Sequence, residues 1–159
     1  MNFAEIEQRT GLSQRRLCYV LEHDIFGVGA GTNRWRKASS GRGNVRTFGP
    51  FEAFSIACVA MLLEAGLHRA VVQDCMARIH ASEGDRAKNL LLTAHDSDGI
   101  AVLEVGDRKH YRFRSDGSLR SGKFDTQWRS LATGRKSPSY EPYVCLSLDI
   151  AKLRKDLKV

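Results

Sequence analysis

Apolar residues recur along the first part of the chain at the spacing of short helices. Phe3 and Ile6 open one such stretch, with Asn2 and Glu5 placed as an N-cap and its reciprocal carboxylate. Gly11 and Leu12 end it, so the pattern predicts a helix over Phe3 to Arg9. Leu17, Val20 and Leu21 then repeat in steps of three and four behind Ser13, whose hydroxyl can accept from an unpaired N–H of a first helical turn. This predicts a second helix ending near His23, with Gln14, Arg15 and Arg16 in its first turn and off its apolar stripe. The clearest helix is Pro50 to Ala65, where Phe51, Phe54, Cys58, Met61, Leu62 and Ala65 mark one apolar face. Pro50 is tolerated in its first turn and Gly66 stops it. Another helix, His68 to Ile79, carries Val71, Val72, Cys75 and Ile79 on one side, with His68 and His80 as solvated ends.

Beyond this point the period changes. The polar stretch Ala81 to Lys88 marks a boundary between a domain over 1–81 and a second over 89–159. Leu90 to His95, Ile100 to Val105 and His110 to Arg114 are short extended segments bounded by the turn signals Asp98-Gly99, Gly106 to Lys109 and Asp116-Gly117, which predicts an antiparallel meander. Gly117 to Pro142 is a long polar connection with Phe124 and Trp128 as its large anchors. Tyr143 to Leu148 is a predicted strand, and Ile150 to Leu157 a basic helix with Leu153 and Leu157 along one edge.

Charge changes the picture most between Gly27 and Phe48. There the chain turns to Gly, Ser and Arg, and Arg34, Arg36, Lys37, Arg42 and Arg46 give five cations with no Asp or Glu. On composition alone this is a basic loop. Placed directly after a helix with arginines in its first turn, it reads as a wing, a two-stranded loop whose cations meet phosphates, with Trp35 ordering it or lying on a sugar. The predicted fold is therefore α+β: an N-terminal winged helix-turn-helix followed by a small antiparallel β-rich domain with a terminal helix.

The whole chain carries a net charge of +7 and a pI near 9.5, which favours a polyanionic partner and nucleic acid first among them. Its 42% hydrophobic and 27% charged residues are those of a soluble globular protein. The stretch MNFAEIEQRT has neither the basic nor the apolar region of a secretory leader, and the longest apolar run, Ile56 to Leu63, is far short of the roughly 20 residues of a membrane span. A cytoplasmic location is expected. Cys18, Cys58, Cys75 and Cys145 form no C-x-x-C pair or His spacing of a zinc site, so no metal or cofactor is expected. His95-Asp96-Ser97-Asp98-Gly99 is the one cluster hinting at metal or acid–base chemistry, and a hairpin turn is its simpler reading.

The order helix, turn, helix, basic wing and two further helices resembles the winged helix-turn-helix domain of MerR-type transcriptional regulators, over roughly residues 3 to 80. Ser13-Gln14-Arg15-Arg16-Leu17-Cys18-Tyr19 is similar to the family's S-x-R-T-L-R-Y-Y stretch, and Gly43 to Phe48 to its G-Y-R-x-Y wing end. The segment EAFSIACVAMLLEAGLHRAVVQDCM resembles the helix pair that follows. The resemblance implies that Arg15 faces bases or nearby phosphates, that Tyr19 touches the backbone and that Arg46 anchors the wing on phosphate. Cys18 departs from the family's arginine, the wing is longer than usual, and a strand-rich segment replaces the long dimerising helix expected after Ile79.

The expected function is sequence-specific binding of double-stranded DNA by a non-enzymatic transcriptional regulator or phage-type repressor. DNA contacts are expected from Ser13, Gln14, Arg15, Arg16 and Tyr19 in the helix and from Arg34, Arg36, Lys37, Arg42 and Arg46 in the wing. Gln14 and Arg15 are the candidate readers of base edges. A homodimer is expected through the C-terminal domain, chiefly through the terminal strand and helix, because Leu153 and Leu157 would be poorly covered in a small monomer. Alternatives are an excisionase-like architectural factor or a ligand- or metal-sensing C-terminal domain.

Overall fold

The computed structural model describes residues 1–23, 25, 46–79, 94, 100–115 and 127–159. Among them the chain is α+β, with helices leading, a small antiparallel sheet following and a helix at the end. Helix α1 (Phe3–Thr10) starts in the predicted capping box: Glu5 N–H donates to Asn2 Oδ1 at 2.9 Å and Asn2 N–H donates to Glu5 Oε2 at 2.7 Å. It ends at Gly11, which takes the left-handed backbone of φ 77° that a side chain would resist. Helix α2 (Gln14–Glu22) follows, with Ser13 Oγ accepting from Arg16 N–H at 3.3 Å and Leu17, Val20 and Leu21 buried as the spacing predicts.

Helix α3 (Pro50–Glu64) departs from the one-sided stripe. Ala53 through Ala60 are all buried, whereas Phe51 and Met61 are half-buried and Ala65 is exposed. The reason is position. α1, α2, helix α4 (Arg69–Ile79) and terminal helix α5 (Ile150–Leu157) all pack on it, and a helix surrounded in this way keeps no polar solvent face along its middle turns, Ala53 to Ala60. The small residues Ala53, Ala57 and Ala60 admit these neighbours closely, and buried Ser55 satisfies its hydroxyl by donating to Phe51 O at 2.8 Å.

The sheet comprises β1 (Ile100–Gly106), β2 (His110–Ser115), β3 (Arg129–Ser130) and β4 (Cys145–Asp149), in the spatial order 4-1-2-3 with every pairing antiparallel. Cross-strand partners Leu103, Phe113 and Leu148, with Val105 and Tyr111, are buried on one face and join the helices in a continuous core. On the other face Glu104 is buried but paired. It accepts from Arg112 Nε at 2.5 Å and lies 3.4 Å from Arg114 Nη1, while the Arg112 guanidinium sits 4.4 Å from the centroid of the Trp128 ring. The predicted strand Leu90 to His95 is described only at Ala94, which is helical, and the turn at Asp98-Gly99 lies outside the described residues. In the Gly117 to Pro142 connection Phe124 also lies outside them. Trp128 is an anchor, and Tyr140 is a second one that the pattern did not show: its ring stacks on His110 at 3.7 Å and meets Trp128 edge-on at 5.4 Å.

Helix α5 overturns the expectation of poorly covered leucines. Ile150, Leu153 and Leu157 are at most 1% exposed, enclosed by α1, α3 and β1 of the same chain. Polar ties reinforce the packing, as Arg9 Nη1 donates to Leu157 O at 2.5 Å and Arg154 Nη1 to Ala94 O at 3.1 Å. Elsewhere Arg78 of α4 donates to the carbonyls of Leu131 and Ala132 and so docks the β3 turn on the helices. The boundary predicted at Ala81 to Lys88 lies outside the described residues.

Close packing at the sheet's end gives a direct test. A Cβ added at Gly106 would stand 2.9 Å from Pro142 Cβ and 2.9 Å from Tyr140 Oη, closer than such atoms approach. Gly106→Ala is expected to destabilise the fold by about 1–3 kcal/mol, read as a lower urea midpoint at unchanged slope. A midpoint equal to wild type would show that Pro142 and Tyr140 move aside freely.

Candidate nucleic-acid interface

The segment Gly11 to Ser13 turns α1 into α2. Leu12 is buried in that turn, and its N–H donates to Thr10 Oγ1 at 3.3 Å. With the apolar side of α2 packed on α1 and α3, the remaining side must face outward. Ser13, Gln14 and Arg15 are exposed there, and Arg16, Cys18 and Tyr19 are half-buried. Ser13, Arg15, Arg16, Tyr19, Glu22 and Glu64 line one open depression on this side. The structure thus brings together four of the five predicted helix residues, all but Gln14.

Their side chains are in different states. Ser13 is engaged as the cap of α2, so its contribution is to hold the helix end. Gln14 Nε2 donates to Glu7 Oε2 of α1 at 2.8 Å, which turns its amide away from the free role expected of a base reader. Arg16 Nε lies 4.0 Å from Glu64 Oε1, both side chains well exposed, an ion pair worth at most about 1 kcal/mol and open to exchange. The Tyr19 ring rests on His23 at 4.3 Å between centroids. The Arg15 side chain makes no hydrogen bond or ion pair among the described residues.

Glu7, Glu22 and Glu64 are the participants that the sequence reading missed. Glu7 and Glu64 come from α1 and from the last turn of α3, and no local signal links them to the start of α2. They make the described face mixed in charge, so a net positive field here depends on the basic segment. Of that segment Arg34, Arg36, Lys37 and Arg42 lie outside the described residues, and Arg46 is placed. Burial and Glu22 push the Cys18 thiol up while Arg46 draws it down, which puts Arg46 within electrostatic reach of α2. The segment's exit is pinned to the start of the chain. Phe48 N–H donates to Met1 O at 2.7 Å, the N-terminal ammonium donates to Phe48 O at 2.8 Å, and Thr47 bridges Asn2 in antiparallel fashion.

Among the described residues no three His, Cys, Asp or Glu side chains are grouped to hold a metal ion, and His95 to Gly99 lie outside them. Cys58 and Cys75 are sealed in the core, where burial pushes the Cys75 thiol up to about 12. No described helix is long and apolar enough to cross a membrane. Comparison with protein-family models, with curated proteins and with solved structures gives no match for this chain.

Proposed function

We propose that α1, the Gly11 to Ser13 turn and α2 act as a helix-turn-helix that binds double-stranded DNA in a sequence-specific way, with the Gly27 to Phe48 segment as its wing. The observation that carries this reading is Arg15, exposed and unpaired among the described residues in the first turn of a capped helix whose opposite side is buried. Recognition helices present first-turn residues to base edges in the major groove. Tyr19 stands one turn further along and Arg46 approaches the same helix, and both suit the phosphate backbone. Arg16 would exchange Glu64 for a phosphate. The MerR-like order of residues supports a regulator of transcription, located in the cytoplasm and needing no catalytic group.

The protein would act as a dimer through residues after Ala81, to read two half-sites. Since Leu153 and Leu157 are enclosed within the chain, the contact lies elsewhere in that half. Tyr143 and Val144, 99% and 71% exposed, are the large apolar residues left in solvent among the described ones. Selection of bound sequences from random duplex DNA tests the whole reading. An enriched motif with paired half-sites one helical turn apart is the expected result, and a pool without enrichment overturns sequence-specific binding.

Arg15→Ala is expected to weaken specific binding by about 1–3 kcal/mol and to relax preference at one base position. Equal weakening on specific and random duplexes would assign Arg15 to the backbone.

A further inference from the structure

The turn between β1 and β2 holds a cation in a backbone conformation that its residue type disfavours. Asp107 and Arg108 both have left-handed backbones, φ 46° and 58°, and Lys109 N–H closes the turn on Gly106 O at 2.9 Å. Turns with successive positive-φ residues favour Asn-Gly or Asp-Gly, because only glycine adopts the second position without strain. Asp107 has a structural reason to be there. Its carboxylate accepts from Tyr140 Oη at 2.7 Å and from the N–H groups of Val144 and Tyr143 at 2.8 and 3.2 Å, and the Tyr140 and Val144 bonds hold its carboxyl below the usual carboxylate range. Arg108 has none. Its side chain is exposed and makes no hydrogen bond or ion pair among the described residues, and the exposed side chain of Lys109 beside it is in the same state. Strain kept at a side chain that does nothing for the fold points to a use outside it.

The position of the turn suggests that use. The turn between α3 and α4, Ala65 to Leu67, faces Val105, Asp107 and Arg108 across a shallow groove. One residue earlier, Glu64 pairs with Arg16 of α2, and Arg69 Nη2 ties the start of α4 to His23 O at 3.1 Å. The molecular surface therefore runs from the α2 face across the α3–α4 turn to the Arg108 tip. The internal bonds of Asp107 leave Arg108 and Lys109 as the outward charges of the tip, complementary to a polyanion.

We infer that the Asp107 to Lys109 turn is a second DNA-contacting element, with Arg108 and Lys109 meeting phosphates of the duplex that α2 engages. This rests on the DNA-binding reading above.

Binding of the full-length chain to a duplex of about 30 base pairs, measured against KCl concentration for wild type and Arg108→Gly, tests it. Removing one phosphate contact is expected to lower the slope of log affinity against log salt by about 1. Glycine also relieves the turn, so the melting temperature should stay level or rise, which no purely structural role for Arg108 would give. If the melting temperature falls instead, Arg108→Lys decides: a slope kept at the wild-type value supports the contact, and a reduced one overturns it. An unchanged slope in Arg108→Gly, with or without a change of oligomeric state, takes the turn off the DNA while leaving the α2 reading intact. Wild-type protein that binds no duplex removes both.

Discussion

Deleting Ile150 to Val159 is expected to unfold the chain, N-terminal helices included. Ile150, Leu153 and Leu157 lie at 0–1% exposure between α1, α3 and β1, so the deletion strips the covering from the first helix of the proposed DNA-binding unit and from the sheet together. Truncating one such leucine to alanine costs about 2–5 kcal/mol, against a total stability of about 5–15 kcal/mol for an ordinary domain. Arg9 and Ala94 would also lose their partners on α5, Leu157 O and the Arg154 guanidinium. The milder variant Leu157→Ala should remain folded, with a urea midpoint lowered by about 2–5 kcal/mol of stability. Circular dichroism melts check both. A truncated chain that keeps a cooperative helical transition at the wild-type temperature would show that α5 is an appendage. A Leu157→Ala protein of unchanged stability but altered mass in light scattering would restore that leucine to a subunit interface.

Local signals made the helices legible, and non-local ones decided what they do. Asn2 with Glu5, Ser13, Pro50 and Gly66 set helix ends within a residue or two because caps and stops act over a single turn. The surroundings of α3 were not legible, since a run such as Ser55-Ile56-Ala57-Cys58 has no period that tells which of its sides meets a neighbour. For α5 the i, i+4 leucine pair announces an apolar edge and says nothing about whose surface covers it. In the candidate interface the exposure of Arg15 followed from the cap and the stripe. The ties of Gln14 to Glu7 and of Arg16 to Glu64 did not, because their acids arrive on other helices. At Gly106 to Lys109 the turn signal was readable, but an arginine at φ 58° runs against local preference, and only the folded chain reveals it.

Replacing Arg34, Arg36 and Lys37 by alanine is expected to flatten the salt dependence of DNA binding by as much as about three units of slope, since each neutralised phosphate contributes roughly 0.9. Between 50 and 200 mM salt such a change amounts to about 40-fold in affinity, so the variant and the wild type should converge as salt rises. The expectation rests on the charge of the segment, five cations without an acid, and on its exit beside α2, where Arg46 is within electrostatic reach of Cys18 and residues 47–48 are bonded to residues 1–2. The described face of α2 carries Glu22 and Glu64 beside Arg15 and Arg16, so it supplies little net attraction of its own. On the proposed reading, sequence-independent affinity comes mainly from the Gly27 to Phe48 segment, and an unchanged slope would place that segment off the DNA. Combining the triple substitution with Arg108→Gly sharpens the geometry. Slope losses that add would mean that the Gly27 to Phe48 segment and the β1–β2 turn meet separate phosphates, whereas a combined loss no larger than that of the triple variant would mean that the Arg108 contact forms only when that segment is on the DNA.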